Sequence, residues 1–261
     1  MHGPGEPLAT ASGRADAGAE ELVVADSFLV EDGAVRGWTR HWRRFHGSCR
    51  AAGASDAQLA SFVQEVVATV PRRGRWFPRL EVVREGSGLA PRLRLRPAPE
   101  HEPLVRVWCG QCDDFRVAPR CKGPDLGRLA SVREDAARRG AGEALLLDED
   151  GRALEGAFSS LLWWDGDTLC AVPDDAPILP GVTRALILEL AAEEGIPVAT
   201  RRPLPSELDG REVWMTSALH GIRAVSGWVG ASLSPGPAVR ANDWSERLAA
   251  TREPLAVEAL R

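Results

Sequence analysis

The sequence predicts an α+β fold with a small N-terminal α/β domain and a larger C-terminal mixed α/β domain. Segments with the period of strands and segments with the period of helices follow one another without strict alternation, which favours α+β layers over a doubly wound sheet. Three prolines occur within residues 97–103, and proline stiffens extended connections. We therefore predict a flexible tail at 1–20, a small domain at 21–96, a linker at 97–103 and a larger domain at 104–261.

The composition is that of an ordinary globular protein, with 44% hydrophobic and 26% charged residues among 261. The net charge of −5 is spread along the chain and offers no basic surface for nucleic acid. No segment approaches the roughly 20 apolar residues of a membrane helix, and residues 1–20 lack a signal-peptide pattern. Five cysteines, an odd number, favour a reducing cytoplasm. We expect a cytoplasmic protein with a small-molecule substrate and neither a nucleic-acid nor a membrane partner.

In the small domain, a run of apolar residues predicts a strand at 22–30. Trp42, Phe45 and Cys49 recur at the spacing of a short amphipathic helix. Ser55, with Gln58 three residues later, makes a capping box that predicts a second helix behind it. Strands are then expected at 79–83 and 92–96, and arginine alternates with leucine in the second of these.

The larger domain is predicted to begin with a strand at 104–108. Asp125 is expected to cap a helix that Gly140 ends, and a strand at 144–147 should follow. A hairpin is expected from 160–164 and 168–172, and a helix from 183–194. Two further strands are predicted at 212–215 and 223–229.

Cys109 and Cys112 form a C-x-x-C pair whose meaning the sequence leaves open. A structural zinc site needs four ligands, and beyond this pair only Cys121 and His101 lie nearby in the sequence. A redox pair normally opens a helix, whereas residues 104–108 have the pattern of a strand that runs into the motif. Unrelated cysteines in a strand and turn are the favoured interpretation, and no metal is expected.

Lys122 is the single lysine of the chain and stands against 31 arginines. The absence of tyrosine and the single asparagine, Asn242, indicate pressure from base composition, under which arginine has replaced lysine elsewhere. A lysine survives such pressure where arginine cannot replace it, because the pKa of arginine is too high for a neutral amine. A surface lysine kept by chance is the alternative.

Four further segments carry residues suited to a charged cofactor. Glu155 follows a predicted strand, although an isolated glutamate is most often solvated. Thr183 opens a predicted helix whose free N–H groups suit a phosphate, although a plain threonine cap explains it in isolation. Thr216 and Ser217 end a predicted strand with two hydroxyls. Arg44 lies near the apolar stripe of its helix and suits bidentate phosphate binding, with a solvated arginine as the alternative.

A unique lysine, a carboxylate and a phosphate cradle are together what pyridoxal phosphate requires of a protein. With them, the order and spacing of several segments resemble the class IV aminotransferases, the fold-type IV pyridoxal-phosphate enzymes with a D-amino-acid-aminotransferase-like fold. The resemblance covers about residues 22–230. The matching segments are HWRRF at 41–45, Lys122 ahead of a helix, the strand and turn at 143–160, LPGVTR at 179–184 and EVWMTSA at 212–218.

The resemblance implies a role for each matched residue. Lys122 would bind the cofactor aldehyde covalently and act as acid and base. Glu155 would keep the pyridine nitrogen protonated, so that the ring can accept electrons. The resemblance also implies a homodimer with sites close to the interface. The phosphate would be held by Arg44, Thr183 and Thr216 together with the backbone of Val182 and Ser217.

Within this family the sequence favours a lyase that converts 4-amino-4-deoxychorismate into 4-aminobenzoate and pyruvate, a step of folate biosynthesis. Residues 216–225 resemble the lyase form of this segment more than the branched-chain transaminase form. The chain also lacks the tyrosine that transaminases of the family commonly place by the cofactor. A branched-chain or D-amino-acid transaminase is the alternative, and a non-catalytic relative is a third interpretation.

Departures from the family pattern fall on the substrate side. Ser160 stands where many members have asparagine. Arg106, Arg184 and Arg223 are each suited to a substrate carboxylate, and nothing in their spacing ranks them.

Overall fold

The computed structural model describes residues 20–110 and 114–260. Within these ranges the chain forms five α-helices, fifteen β-strands and two short 3-10 helices at Pro205–Leu208 and Glu258–Leu260. The helices are α1 (Trp38–Ala51), α2 (Asp56–Thr69), α3 (Leu126–Arg138), α4 (Val182–Glu193) and α5 (Ala241–Ala250). The strands are β1 (Glu21–Ser27), β2 (Val30–Glu31), β3 (Ala34–Arg36), β4 (Arg75–Trp76), β5 (Arg79–Glu85), β6 (Gly88–Arg94), β7 (Leu104–Trp108), β8 (Glu143–Leu147), β9 (Ala153–Gly156), β10 (Ser160–Asp165), β11 (Thr168–Ala171), β12 (Val198–Thr200), β13 (Val213–Ser217), β14 (Gly221–Val229) and β15 (Arg252–Pro254).

The first part of the chain folds around its own apolar cluster. Phe28, Trp38, Phe45 and Leu59 are fully buried within it, and they join α1 and α2 to the antiparallel sheet β1-β5-β6. The predicted capping box of α2 is confirmed, because the Gln58 backbone N–H donates to Ser55 Oγ at 3.2 Å and the Ser55 N–H donates back to the Gln58 side chain. Helix α1 packs one face against this core and turns its other face towards the rest of the molecule.

A mixed sheet of eight strands dominates the second part of the described chain, in the order β12-β11-β10-β13-β14-β7-β8-β9. Alternate residues of β10 point to opposite faces, as the period of a strand requires. Leu161 and Trp163 join the core on one face, whereas Leu162 and Trp164 pack on the other with α4 and α5. The predicted hairpin of β10 and β11 is confirmed.

Two expectations about individual elements need correction. Asp125 precedes α3 but does not cap it, because its carboxylate accepts hydrogen bonds from the backbone N–H groups of Val117 at 3.1 Å and Ala118 at 3.0 Å. The strand expected at 92–96 begins at residue 88 and contains Pro91, which an edge strand of the sheet tolerates. Strand β15, near the end of the expected larger domain, pairs with β3 beside the first cluster.

Most of the tail predicted at 1–20 lies outside the described residues, as does Cys112. None of the helices in the described ranges is long and apolar enough to cross a membrane.

Candidate active site

Lys122 is held on a loop that packs directly against β1. The Ala25 backbone N–H donates to the Lys122 carbonyl at 2.6 Å. Gly123 follows with φ +151, and an added Cβ there would lie 2.7 Å from the Val23 carbonyl. Only glycine allows so close an approach. The Asp125 carboxylate ties the preceding turn at 117–118 to the same loop, so the lysine backbone is fixed from both sides.

The Lys122 side chain lines a cavity, here named the lysine cavity. Within the described ranges its ammonium makes no ion pair. Burial and the neighbouring Arg44 lower the pKa of Lys122 to about 8, against the opposing effect of Asp26. All seven residues expected at the site line this one cavity, namely Arg44, Lys122, Glu155, Val182, Thr183, Thr216 and Ser217.

Glu155 lies near the end of β9 and is only 4% exposed. Its carboxylate accepts the Leu179 backbone N–H at 2.8 Å and an N–H of Arg116. Burial raises the pKa of Glu155 to about 7, although Arg116 opposes the shift. The same Arg116 guanidinium also donates to Asp114 (Nε–Oδ1 2.7 Å) and to the Pro177 carbonyl. No local signal in the sequence marks Arg116, because it is one arginine among 31.

Backbone and hydroxyl donors meet opposite Lys122, where α4 begins beside the ends of β10 and β13. The first N–H groups of a helix have no acceptor within it, so those of Val182 and Thr183 are available to a ligand. Thr216 pairs with Ser160 across the two strands, and its hydroxyl donates to the Ser160 carbonyl at 3.3 Å. An added Cβ on Gly181 would lie 2.5 Å from Ser160 Oγ, so only glycine brings the helix start this close to the strand.

Arg44 lines the cavity from α1, and its guanidinium is already oriented by other groups. It donates to both oxygens of Asp26, with Nε–Oδ2 at 2.8 Å and Nη2–Oδ1 at 2.9 Å, and to the Pro180 carbonyl at 2.9 Å. His41 Nδ1 lies 2.8 Å from Asp26 Oδ1. Burial favours protonation of Asp26, but Arg44 and His41 outweigh it and hold its pKa well below the usual range. Asp26 is a second residue that no local signal in the sequence marks.

A second cavity adjoins the first, and Lys122 belongs to the wall of both. We name it the arginine cavity after Arg79, Arg96, Arg133 and Arg223, which line it. Of the three arginines left unranked by the sequence, only Arg223 lies here. The Arg184 guanidinium is bound to Asp174 at 2.7 Å and to the Val172 carbonyl, and Arg106 is exposed on β7.

Of the C-x-x-C pair, only Cys109 lies within the described residues. Cys109 is half-buried, and burial raises the pKa of its thiol, which makes it less reactive. Across residues 20–110 and 114–260, no three His, Cys, Asp or Glu side chains converge as metal ligands.

The residues of the lysine cavity fit pyridoxal phosphate by the chemistry of their donors. The start of α4, two threonine hydroxyls and Arg44 form a set of donors that suits a phosphate. Glu155 is a buried acid that suits a protonated ring nitrogen. Lys122 is an amine of lowered pKa on the shared wall of the two cavities.

Comparison with known proteins identifies the family. The sequence matches the family described as amino-transferase class IV over residues 23–228. Aminodeoxychorismate lyase of Bacillus subtilis is 37% identical over 78 residues, which cover 30% of this chain and 27% of that protein. D-alanine aminotransferase of Bacillus licheniformis is 28% identical over 236 residues, which cover 82% of each.

Similarity to solved structures confirms the fold expected from the resemblance. A structure described as a hypothetical aminotransferase from Mycobacterium tuberculosis, in its α-ketoglutarate and PMP bound form, superposes with a TM-score of 0.74. It is 22% identical, and the alignment covers 96% of this chain and 95% of that one. The chain therefore belongs to the class IV aminotransferases and is a pyridoxal-phosphate-dependent enzyme with the fold-type IV architecture.

Proposed function

We propose that the protein is a lyase of the aminodeoxychorismate type, which converts 4-amino-4-deoxychorismate into 4-aminobenzoate and pyruvate. The observation that carries the proposal is the absence of any phenol beside Lys122, since the chain contains no tyrosine. Without a phenol, Lys122 is the residue on the shared wall of the two cavities that transfers protons. The match with the Bacillus subtilis lyase supports the same reaction.

The roles of the site residues follow from their chemistry. Pyridoxal phosphate, when bound, withdraws electrons from the substrate carbon attached to the amino group. The Lys122 amine, with its pKa lowered to about 8, takes the proton from the ring carbon that carries the amino group. The C–O bond to the enolpyruvyl group then breaks, and Lys122 returns the proton to the departing enolpyruvate, which becomes pyruvate. Glu155 holds a proton at the ring nitrogen. The phosphate is bound by Arg44, Thr183 and Thr216, with the backbone N–H groups of Val182 and Ser217.

Two features of the wall favour the elimination of a bulky group. Ser217, at the strand end, and Ala218, in the turn that follows it, line both cavities, so the substrate has room beyond Lys122. The arginine cavity on that side suits an anionic leaving group. Loss of pyruvate from the substrate leaves an aromatic ring, which makes the step irreversible.

Transamination is the second candidate, and one observation favours it. The match with D-alanine aminotransferase extends over 82% of the chain, whereas the match with the lyase covers 30%. Both reactions use the same lysine, carboxylate and phosphate cradle. They differ in whether a keto acid must accept the amino group.

Product analysis distinguishes the two reactions. Purified holoenzyme is incubated with 4-amino-4-deoxychorismate in the absence of any keto acid, and 4-aminobenzoate and pyruvate are quantified. We expect both products in equal amounts, and none from the Lys122→Arg variant. Turnover that requires a keto acid and forms an amino acid would replace the lyase with a transaminase.

We also propose that the enzyme acts as a cytoplasmic homodimer on the path to folate. The family resemblance supports the dimer, and the odd number of cysteines supports a reducing compartment. Light scattering should give twice the chain mass of 28.1 kDa. A mass of 28.1 kDa at micromolar concentration would exclude the dimer.

A further inference from the structure

Arg223 is buried in β14 with most of its hydrogen-bonding capacity unused. The residue is 2% exposed, and its Nε and Nη1 have no hydrogen-bond partner in the described part of the chain. Only Nη2 approaches an acid, at 3.5 Å from Glu143 Oε2. A buried donor without an acceptor costs roughly 1–3 kcal/mol, and more when it is charged. Such a side chain therefore calls for an anion from outside.

Glu143 does not supply that anion. Its carboxylate accepts the Ser159 hydroxyl at 2.7 Å and the Ala144 backbone N–H at 3.1 Å, so its oxygens already have other donors. The distance of 3.5 Å to Arg223 exceeds that of a good charged hydrogen bond. Glu143 offsets part of the charge of Arg223 and accepts no hydrogen bond from its Nε or Nη1.

The other charged residues that line the arginine cavity are also positive. Arg79, Arg96 and Arg133 line it with Arg223, and no aspartate or glutamate of residues 20–110 and 114–260 does so. Two of these guanidinium groups are held over aromatic rings, Arg96 at 4.8 Å from the Phe77 centroid and Arg133 at 5.6 Å from that of Phe158. The cavity is therefore positive and partly preorganised.

His220, in the same lining, adds no charge at neutral pH. Burial and the nearby Arg223 lower the pKa of its ring to about 4. Arg79 is already paired with Glu81, so the cations left for a ligand are Arg96, Arg133 and Arg223, with Lys122, which the two cavities share.

We propose that the arginine cavity binds a second carboxylate of the substrate, remote from the reacting amino group, and that Arg223 is the residue that selects dicarboxylic over monocarboxylic substrates. Arg133, which reaches the cavity from α3, completes the subsite. The inference rests on the proposed function only for the identity of the substrate, because 4-amino-4-deoxychorismate carries two carboxylates. A transaminase acting on a dicarboxylic amino acid would need the same subsite.

Binding of inert acids tests the subsite without turnover. Glutarate and pentanoate have the same number of carbons and differ in one carboxylate, and neither carries an amino or keto group. Their dissociation constants for the holoenzyme are measured by calorimetry at one ionic strength, because free salt screens charge. We expect glutarate to bind about tenfold or more tightly than pentanoate, as a charged hydrogen-bonded pair implies.

Variants then assign the preference to named residues. Arg223→Gln and Arg133→Gln should each remove most of the preference for glutarate and leave pentanoate binding unchanged. Because Arg223→Gln leaves Glu143 without its cation, the charge-balanced double variant Arg223→Gln/Glu143→Gln guards against loss of folding. Arg106→Gln is the matched control, since Arg106 is exposed on the neighbouring strand β7 and lines neither cavity.

Equal binding of glutarate and pentanoate by the wild type would overturn the subsite. The subsite would also be overturned if the double variant folds and both it and Arg133→Gln keep the full preference for glutarate. Arg223 would then be only a structural partner of Glu143. The measurement involves no lyase step. A preference for glutarate without formation of 4-aminobenzoate would support the subsite and refute the proposed reaction. Formation of 4-aminobenzoate without a preference for glutarate would support the reaction and refute the subsite.

Discussion

Arg44, which lines the lysine cavity, forms a bidentate ion pair with Asp26, with Nε–Oδ2 at 2.8 Å and Nη2–Oδ1 at 2.9 Å. Asp26 is fully buried and also meets His41 Nδ1 at 2.8 Å. The pair orients the arginine towards the start of α4 and cancels part of its charge. Phosphate binding at this wall then depends on the geometry of the donors as well as on charge.

Asp26→Asn should destabilise the protein strongly, because it leaves a buried arginine without its anion. Removal of one partner of a buried pair costs about 3 kcal/mol or more, measured as the free energy of unfolding in urea. Asp56→Asn is the control, since the Asp56 pairs with His46 and Arg50 are exposed and should cost about 1 kcal/mol or less. Equal losses of unfolding free energy in the two variants would mean that the Asp26 pair stabilises the fold no more than an exposed ion pair does.

The lowered pKa of Lys122 predicts the pH dependence of cofactor capture. With a pKa of about 8, roughly a tenth of the amine is neutral at pH 7 and most of it at pH 9. The rate at which cofactor-free protein develops its visible absorption band should therefore rise about tenfold between these pH values and then level off. N-acetyl-lysine amide, as the control, should keep rising towards pH 10. A protein rate that also keeps rising would contradict a lowered pKa.

The raised pKa of Glu155 predicts how stability depends on pH without cofactor. Its contribution is fully present below the ordinary pKa of 4.5 and is lost as the pH rises through about 7. Glu155→Gln removes this titration, so the variant should gain about 3 kcal/mol relative to the wild type between pH 4.5 and 8. Urea unfolding at several pH values measures the difference. Glu65→Gln, exposed on α2, should show no such trend, and a flat Glu155→Gln difference would refute the shift.

Gly181→Ala tests the close approach of α4 to β10. The added Cβ would lie 2.5 Å from Ser160 Oγ, so the hydroxyl must rotate or the helix start must move, and either change disturbs the phosphate end of the cavity. The dissociation constant of pyridoxal phosphate should rise about tenfold. Ser160→Gly in the same chain should restore it, whereas Gly127→Ala, with no atom within 4 Å of the added Cβ, should leave it unchanged. Unaltered affinity in Gly181→Ala would show that the approach has no role.

Local sequence signals predicted the elements that depend on neighbouring residues. The capping box of Ser55 and Gln58 and the stripe of Phe45 and Cys49 involve residues a few positions apart, so their spacing carries the information. Helix α5 was not predicted, because its buried stripe consists only of Ala241, Trp244 and Leu248.

The partners of the site residues could not be predicted in the same way. Asp26 lies 18 residues from Arg44, and Arg116 lies 39 residues from Glu155, so only the fold brings them together. The family resemblance named seven of the residues that line the lysine cavity, but it gave no arrangement for Arg223. Asp125 was predicted to cap a helix because its position suits a cap. In the structure, the backbone N–H groups of the turn at 117–118 donate to its carboxylate instead.

Covalent trapping of the cofactor tests the central claim most directly. Because Lys122 is the only lysine, borohydride reduction of the holoenzyme followed by peptide mass spectrometry has one expected outcome. We expect one pyridoxyl phosphate group per chain, attached to Lys122, and loss of the visible absorption band. Lys122→Arg should bind the cofactor without attachment. A holoenzyme that carries no label after reduction, or carries it only at the N-terminal amine, would contradict the account.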